Sequence, residues 1–264
     1  MAASYTNIGN VYYSQVQYEQ ALENYQKGLE INIKVSGQDH PDVATSFYNI
    51  GLVYKKKGDF ENALSQYQKA LEIRTHVFGS DHPDVATSLM NVGNVLQTMG
   101  KYEEALVQHQ KSLDIKTRIY GGDDHLDVAA SYNNIGTVYE SLGKYEEALG
   151  MHSKSLDIKT RILGGDNHPD VASSFNNIGI VYSRKGDLAN ALVQHQKALE
   201  IRTRVFGSDH PDVAGSYQNL ALVYQRQGNH VQTKEMATKA YHIFLKVLGP
   251  DHPQTQGLKP FVDE

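Results

Sequence analysis

The sequence predicts an all-α protein, a solenoid of six helical hairpins, and three observations carry that prediction. A His-Pro-Asp-Val-Ala stretch, complete at His82–Ala86, recurs from His40, His125, His168 and His210, with a degenerate copy at His252-Pro253; the histidines are 42, 43, 43, 42 and 42 residues apart. A fixed period of that size marks an array of supersecondary units. Between the copies, apolar residues fall at helical spacing, and a glycine recurs inside the first helical pattern of five of the six units.

The second repeat shows how each element arises. Pro41 suits the first helical position, where a missing N–H costs nothing, and His40, held extended by the proline, falls at the cap. Asp42 places a negative charge in the first turn, at the positive end of the helix dipole. Phe47, Ile50, Gly51 and Tyr54 share one face; Lys55-Lys56-Lys57 suit the last turn and Gly58 supplies the stop, which gives helix A over about residues 41–57. Asp59 then offers a side-chain cap for helix B, whose stripe is Ala63, Leu64, Tyr67, Ala70, Leu71 and Val77, and Gly79 ends it. Two narrow amphipathic helices cannot cover their own apolar faces, so the hairpins must stack.

Glycine inside a helix costs about 1 kcal/mol relative to alanine. Its recurrence at Gly9, Gly51, Gly93, Gly136 and Gly179, with Ala221 in the sixth place, therefore predicts close approach by a neighbouring side chain. Repeats begin near residues 1, 40, 82, 125, 168 and 210, so the array covers 1–249 and a partial repeat or capping tail covers 250–264. Ala2-Ala3-Ser4-Tyr5 aligns with Ala129-Ala130-Ser131-Tyr132, so the chain starts inside a repeat, as an excised piece of a longer array would. Gly121-Gly122 and Gly164-Gly165 absorb the extra residue of the two longer intervals in loops. Residues 62–88 and 190–216 differ at four positions only, Ser65/Val193, Tyr67/His195, His76/Arg204 and Thr87/Gly215, as after a recent duplication. In the tail, Gly257 and Pro260 are expected to cut a short helix, with Leu258, Phe261 and Val262 folding back near Phe244.

Phe47, Ile50, Gly51, Tyr54, Ala63, Tyr67 and Ala70, repeated as Phe175, Ile178, Gly179, Tyr182, Ala191, His195 and Ala198, resemble the tetratricopeptide repeat. The 42-residue period, the extended second helix through Glu72-Ile73-Arg74 and the Asn-x-Gly core are similar to the kinesin light chain subclass. The resemblance implies a right-handed superhelix whose concave surface is lined by the A helices. It also implies a non-catalytic scaffold or adaptor for protein partners.

Composition narrows the function. A net charge of -5 with mixed signs argues against a nucleic-acid binder, which normally shows a basic stripe, and the absence of cysteine removes thiolate chemistry. No apolar run approaches membrane-spanning length, and no signal peptide is evident, so a soluble, cytoplasmic protein is expected. Twelve histidines do not suggest metal: six stand in the loops, while His109, His152 and His195 fall one per hairpin. Hairpins lie roughly 10 Å apart, against metal–nitrogen distances of about 2 Å. The Asp-His pairs lack a nucleophile beside them and repeat as structural punctuation would. Neither a cofactor site nor an enzyme is expected.

The functional candidate is the face of helix A that carries Asn7, Asn49, Asn91, Asn134, Asn177 and Asn219, doubled centrally by Asn133 and Asn176. Asparagine is mildly unfavourable inside a helix. Its amide donates and accepts together, which suits the backbone of a bound peptide, and equally a bond to the next hairpin. Lys55, Lys56, Arg184 and Arg226 follow on the same face beside Glu140; they read either as a solvated helix end or as selectors of an acidic partner. The expected function is capture of an extended or helical peptide, with acidic and aromatic cargo-type residues implied by the family. The alternative is a regulatory or oligomerising arm of a larger signalling protein, with end-to-end self-association through uncapped terminal repeats.

Overall fold

A computed structural model describes residues 1–263. These residues form thirteen helices and no strand. The hairpins are α1 (Ala2–Ser14) with α2 (Tyr18–Ser36), α3 (Pro41–Lys57) with α4 (Phe60–Phe78), α5 (Pro83–Thr98) with α6 (Tyr102–Tyr120), α7 (Leu126–Ser141) with α8 (Tyr145–Ile162), α9 (Pro169–Lys185) with α10 (Leu188–Phe206), and α11 (Pro211–Arg226) with α12 (His230–Leu248). A last helix, α13, spans Pro253–Asp263, and Glu264 lies outside the described residues. The chain divides into two compact units, residues 1–123 and from residue 124 onward.

Helix starts follow the local chemistry. The Nδ1 atom of His40, His82, His125, His168 and His210 accepts the amide hydrogen of the aspartate two residues on, at 3.0–3.2 Å. Asp59, Asp187 and Asn229 cap α4, α10 and α12 by accepting from the amides of Asn62, Asn190 and Gln232. Gly58 and Gly186 close α3 and α9 in the left-handed conformation. The same place between α1 and α2 holds Val16 at φ 62°, where a β-branched side chain is strained.

The core lies between hairpins. In the first unit, Ala21, Leu22 and Tyr25 of α2 meet Ile50 and Val53 of α3, and Leu29 and Ile33 pack against Val43 and Ala44. In the second, Val171, Ala172 and Phe175 of α9 join Ala198 and Ile201 of α10, with Leu156 of α8 against them. The helical glycines receive a ring. A Cβ atom at Gly9 would lie 2.5 Å from Tyr25, at Gly51 2.8 Å from Tyr67, at Gly93 2.7 Å from His109, at Gly136 2.9 Å from His152 and at Gly179 2.8 Å from His195.

Polar links tie successive hairpins. Arg74 donates to Ser88 Oγ at 2.7 Å, Lys159 to Ser174 Oγ at 3.1 Å and Arg202 to Ser216 Oγ at 2.8 Å, each from a B helix to the following A helix. At the C-terminal end this link becomes apolar: Phe244 occupies the basic residue's place, Leu258 the serine's, and both are buried in one cluster with Phe261 packed against it.

Two expectations are corrected. Val77 is 39% exposed, as are its counterparts Val35, Ile119, Ile162, Val205 and Val247 at 37–78%, because Ile73 and Arg74 already fill the inward face at the end of the B helix. The tail helix runs through Gly257 and Pro260 to Asp263; Pro260 sits on its exposed side and costs one backbone bond, while buried Leu258 holds the helix down. α13 packs over α12, with Leu258 buried against Phe244.

Candidate functional site: the asparagine face of the A helices

In the second unit the asparagines form links from one A helix to the next. Asn177 Nδ2 donates to Asn133 Oδ1 at 2.8 Å, and Asn219 Nδ2 donates to Asn176 Oδ1 at 2.7 Å. Asn133 Oδ1 also lies 3.1 Å from Nδ1 of His152, the ring that covers Gly136. The bonds use one side of each amide. Asn133 and Asn176 keep their NH₂ groups, and Asn177 and Asn219 keep lone pairs on Oδ1. All four side chains are half-buried, as is Asn134, so the face is polar, ordered and partly open to solvent.

The first unit differs. Asn91 is buried and donates to the Thr87 carbonyl of its own helix at 2.9 Å, Asn49 is half-buried, and Asn7 is exposed. The position before the asparagine is taken by Tyr48 and Met90 rather than a second asparagine, and Tyr48 packs on Tyr67 with ring centroids 5.6 Å apart. Sequence reading named Asn133 and Asn176 at this position but passed over Tyr48 and Met90, and also Leu52, Asn94, Thr137, Ile180 and Leu222 one turn further along. Counting three from each asparagine would have found the latter set.

The cations divide into two groups. Arg184 Nε sits 2.9 Å from Glu140 Oε1, and Arg226 donates to the Ser183 carbonyl and hydroxyl, so both join successive A helices. Burial pushes the Glu140 carboxyl up, with Arg184 opposing the shift. Lys55 is half-buried and its pKa is lowered by burial and then by neighbouring Lys56; neither makes an ion pair among the described residues.

The histidines serve structure. His109, His152 and His195 are 1–2% exposed, and burial, with a smaller contribution from Lys116, Lys159 and Arg202 respectively, lowers each pKa to about 4. The loop histidines act as caps, and Phe78 and Phe206 stack on His82 and His210 with centroids 4.3 and 4.2 Å apart. No group of three or more potential metal ligands occurs among the described residues. No described helix is long and apolar enough to cross a membrane.

The tetratricopeptide repeat model matches residues 1–75, 42–118, 84–161, 127–204 and 170–246, end to end over the array. The chain belongs to the tetratricopeptide repeat family. Among solved structures, this tetratricopeptide protein is similar to BtubC (BKLC) from P. vanneervenii, with 25% identity over 89% of this chain and 94% of that one, at a TM-score of 0.74. It shares the fold of a Podosopora anserina putative kinesin light chain with nearly identical TPR-like repeats, at 21% identity, 78% and 97% coverage and a TM-score of 0.67. Apo RapI has the same fold at 15% identity over 99% and 98% of the two chains, with a TM-score of 0.67. No curated protein matches the sequence. Kinesin-light-chain-like repeat proteins are thus among its structural neighbours, as the repeat length implied. Repeat arrays of this family are generally non-catalytic scaffolds for protein–protein interaction.

Proposed function

We propose that this chain is a non-catalytic scaffold that binds an extended peptide segment of a partner protein along the A-helix face. The observation that supports it is the asparagine series: cross-helix bonds fix each amide's direction and leave donors on Asn133 and Asn176 and acceptors on Asn177 and Asn219. An extended backbone offers free N–H and C=O groups to such a face, whereas a helix has already used most of its own. That favours the extended form over the helical one. In the first unit, taken by itself, Lys55 and the exposed Lys56 favour acidic side chains in a segment bound there, an attraction that salt would screen.

A peptide-array screen with the intact chain supplies ligands for the test. Asn133→Ala with Asn176→Ala should weaken the best peptide at least tenfold, while the melting temperature falls by only the several degrees that three lost hydrogen bonds of about 1 kcal/mol each entail. Loss of affinity in step with loss of fold, and no loss in a variant that stays folded, would assign the asparagines to repeat spacing alone.

A further inference from the structure

Repeat six departs from the other five where a ring meets a helical glycine, and again at Thr233, which stands where the others have alanine. Tyr25, Tyr67, His109, His152 and His195 are 0–4% exposed and lie against Gly9, Gly51, Gly93, Gly136 and Gly179. In α11 and α12 the pair is Ala221 and Ala237, so the ring is gone and the facing residue has gained only a methyl group. A cavity of about 150 Å³ remains there. Its walls are Ala221, Leu222, Ala237, Leu258 and Phe261, so α13 borders the space without filling it. Thr233 also lines it, with its hydroxyl spent on the Asn229 carbonyl at 2.8 Å. Among the described residues, no charged one lines it. The amides of Gln218 and Gln225 stand at the edge, beside Leu222, which is 50% exposed and marks the mouth.

We infer that this cavity is a binding site for the phenyl or phenol side chain of a partner peptide, which takes the place that tyrosine or histidine fills in the other repeats. Five rings seated against the equivalent A-helix residue are the precedent for the occupant. A cavity of about this volume with apolar walls accepts a benzene-sized group, and an uncharged lining admits a neutral ring rather than an ionised side chain. The glutamine amides at the mouth can bond the peptide groups on either side of that residue, which a free aromatic molecule lacks. The site rests on the lost ring and not on the asparagine series, so either can fail without the other.

The test uses the isotope-labelled intact chain with N-acetyl-phenylalaninamide, N-acetyl-alaninamide and phenol as probes. The phenylalanine probe at millimolar concentration should shift the amide signals of Ala221, Leu222, Ala237 and Leu258, the alanine probe should not, and phenol should bind at least threefold more weakly. The double variant Ala221→Gly, Ala237→His restores the glycine–ring pair and should lower affinity for the phenylalanine probe at least tenfold while raising the melting temperature. Shifts centred elsewhere, or equal shifts from the alanine probe, overturn the proposal whether or not the double variant folds. Unchanged affinity in a folded double variant overturns it too, and phenol binding as tightly as the peptide probe removes the peptide from it.

Discussion

At Gly136 the absent side chain is the contact. A Cβ there would stand 2.9 Å from the ring of His152, which is itself 1% exposed and has nowhere to move. Gly136→Ala should therefore destabilise by about 1–2 kcal/mol in thermal unfolding, overpacking outweighing the gain in helix propensity. The steric reason for the glycine was legible from its recurrence inside a helix. The ring it serves was visible only in part, because Tyr67 and His195 hold one position in near-identical repeats and a histidine there suggests chemistry as readily as packing. The buried histidines also set a pH dependence. Their folded pKa, about 4, lies below the ordinary 6.5, so the unfolded chain binds protons first as pH falls. The stability that neutral burial contributes is complete above about pH 6.5 and is lost as pH drops toward 4. Replacing His195 with tyrosine, which Tyr67 shows the site to hold, should flatten the slope of stability between those values; an unchanged slope would show that the ring is already charged or hydrated.

Helix boundaries were the most legible elements, since Pro41, Asp42, Gly58 and Asp59 each act through one local bond or one dihedral. What the wheel of an isolated helix cannot tell is which neighbour meets each face. Val77 belongs to the apolar stripe by spacing and yet faces solvent, whereas Arg74 is 9% exposed because Ser88 of the next helix receives it. Pro260 read as a stop but is accommodated, since burial of Leu258 to 3% outweighs one lost backbone bond. Leu258→Ala should thus cost about 2–5 kcal/mol and expose the end of the second unit, seen as a lower melting temperature and earlier proteolysis within α13. At the other kind of turn, Val16→Gly should stabilise by about 1 kcal/mol by relieving the left-handed strain, and a drop in stability would mean that Val16 makes a contact which the 66% exposure of its side chain denies.

Across the whole molecule, the period predicted the stacking of hairpins, and the stacking brings residues 43 or 44 apart into contact: Asn177 with Asn133, Asn219 with Asn176, Arg184 with Glu140. The stripe of asparagines could be drawn from spacing alone. The direction of each amide could not, because it depends on bonds between repeats, and that direction decides which groups remain for a ligand. The proposed account is that the remaining donors and acceptors read the backbone of an extended chain. The most direct test is calorimetric titration of an array-selected peptide against versions of it N-methylated at each residue in turn. The account predicts a tenfold or larger loss of affinity at alternate positions, where an N–H would face the amides, and little change between them. Affinity indifferent to methylation along the whole peptide would contradict it.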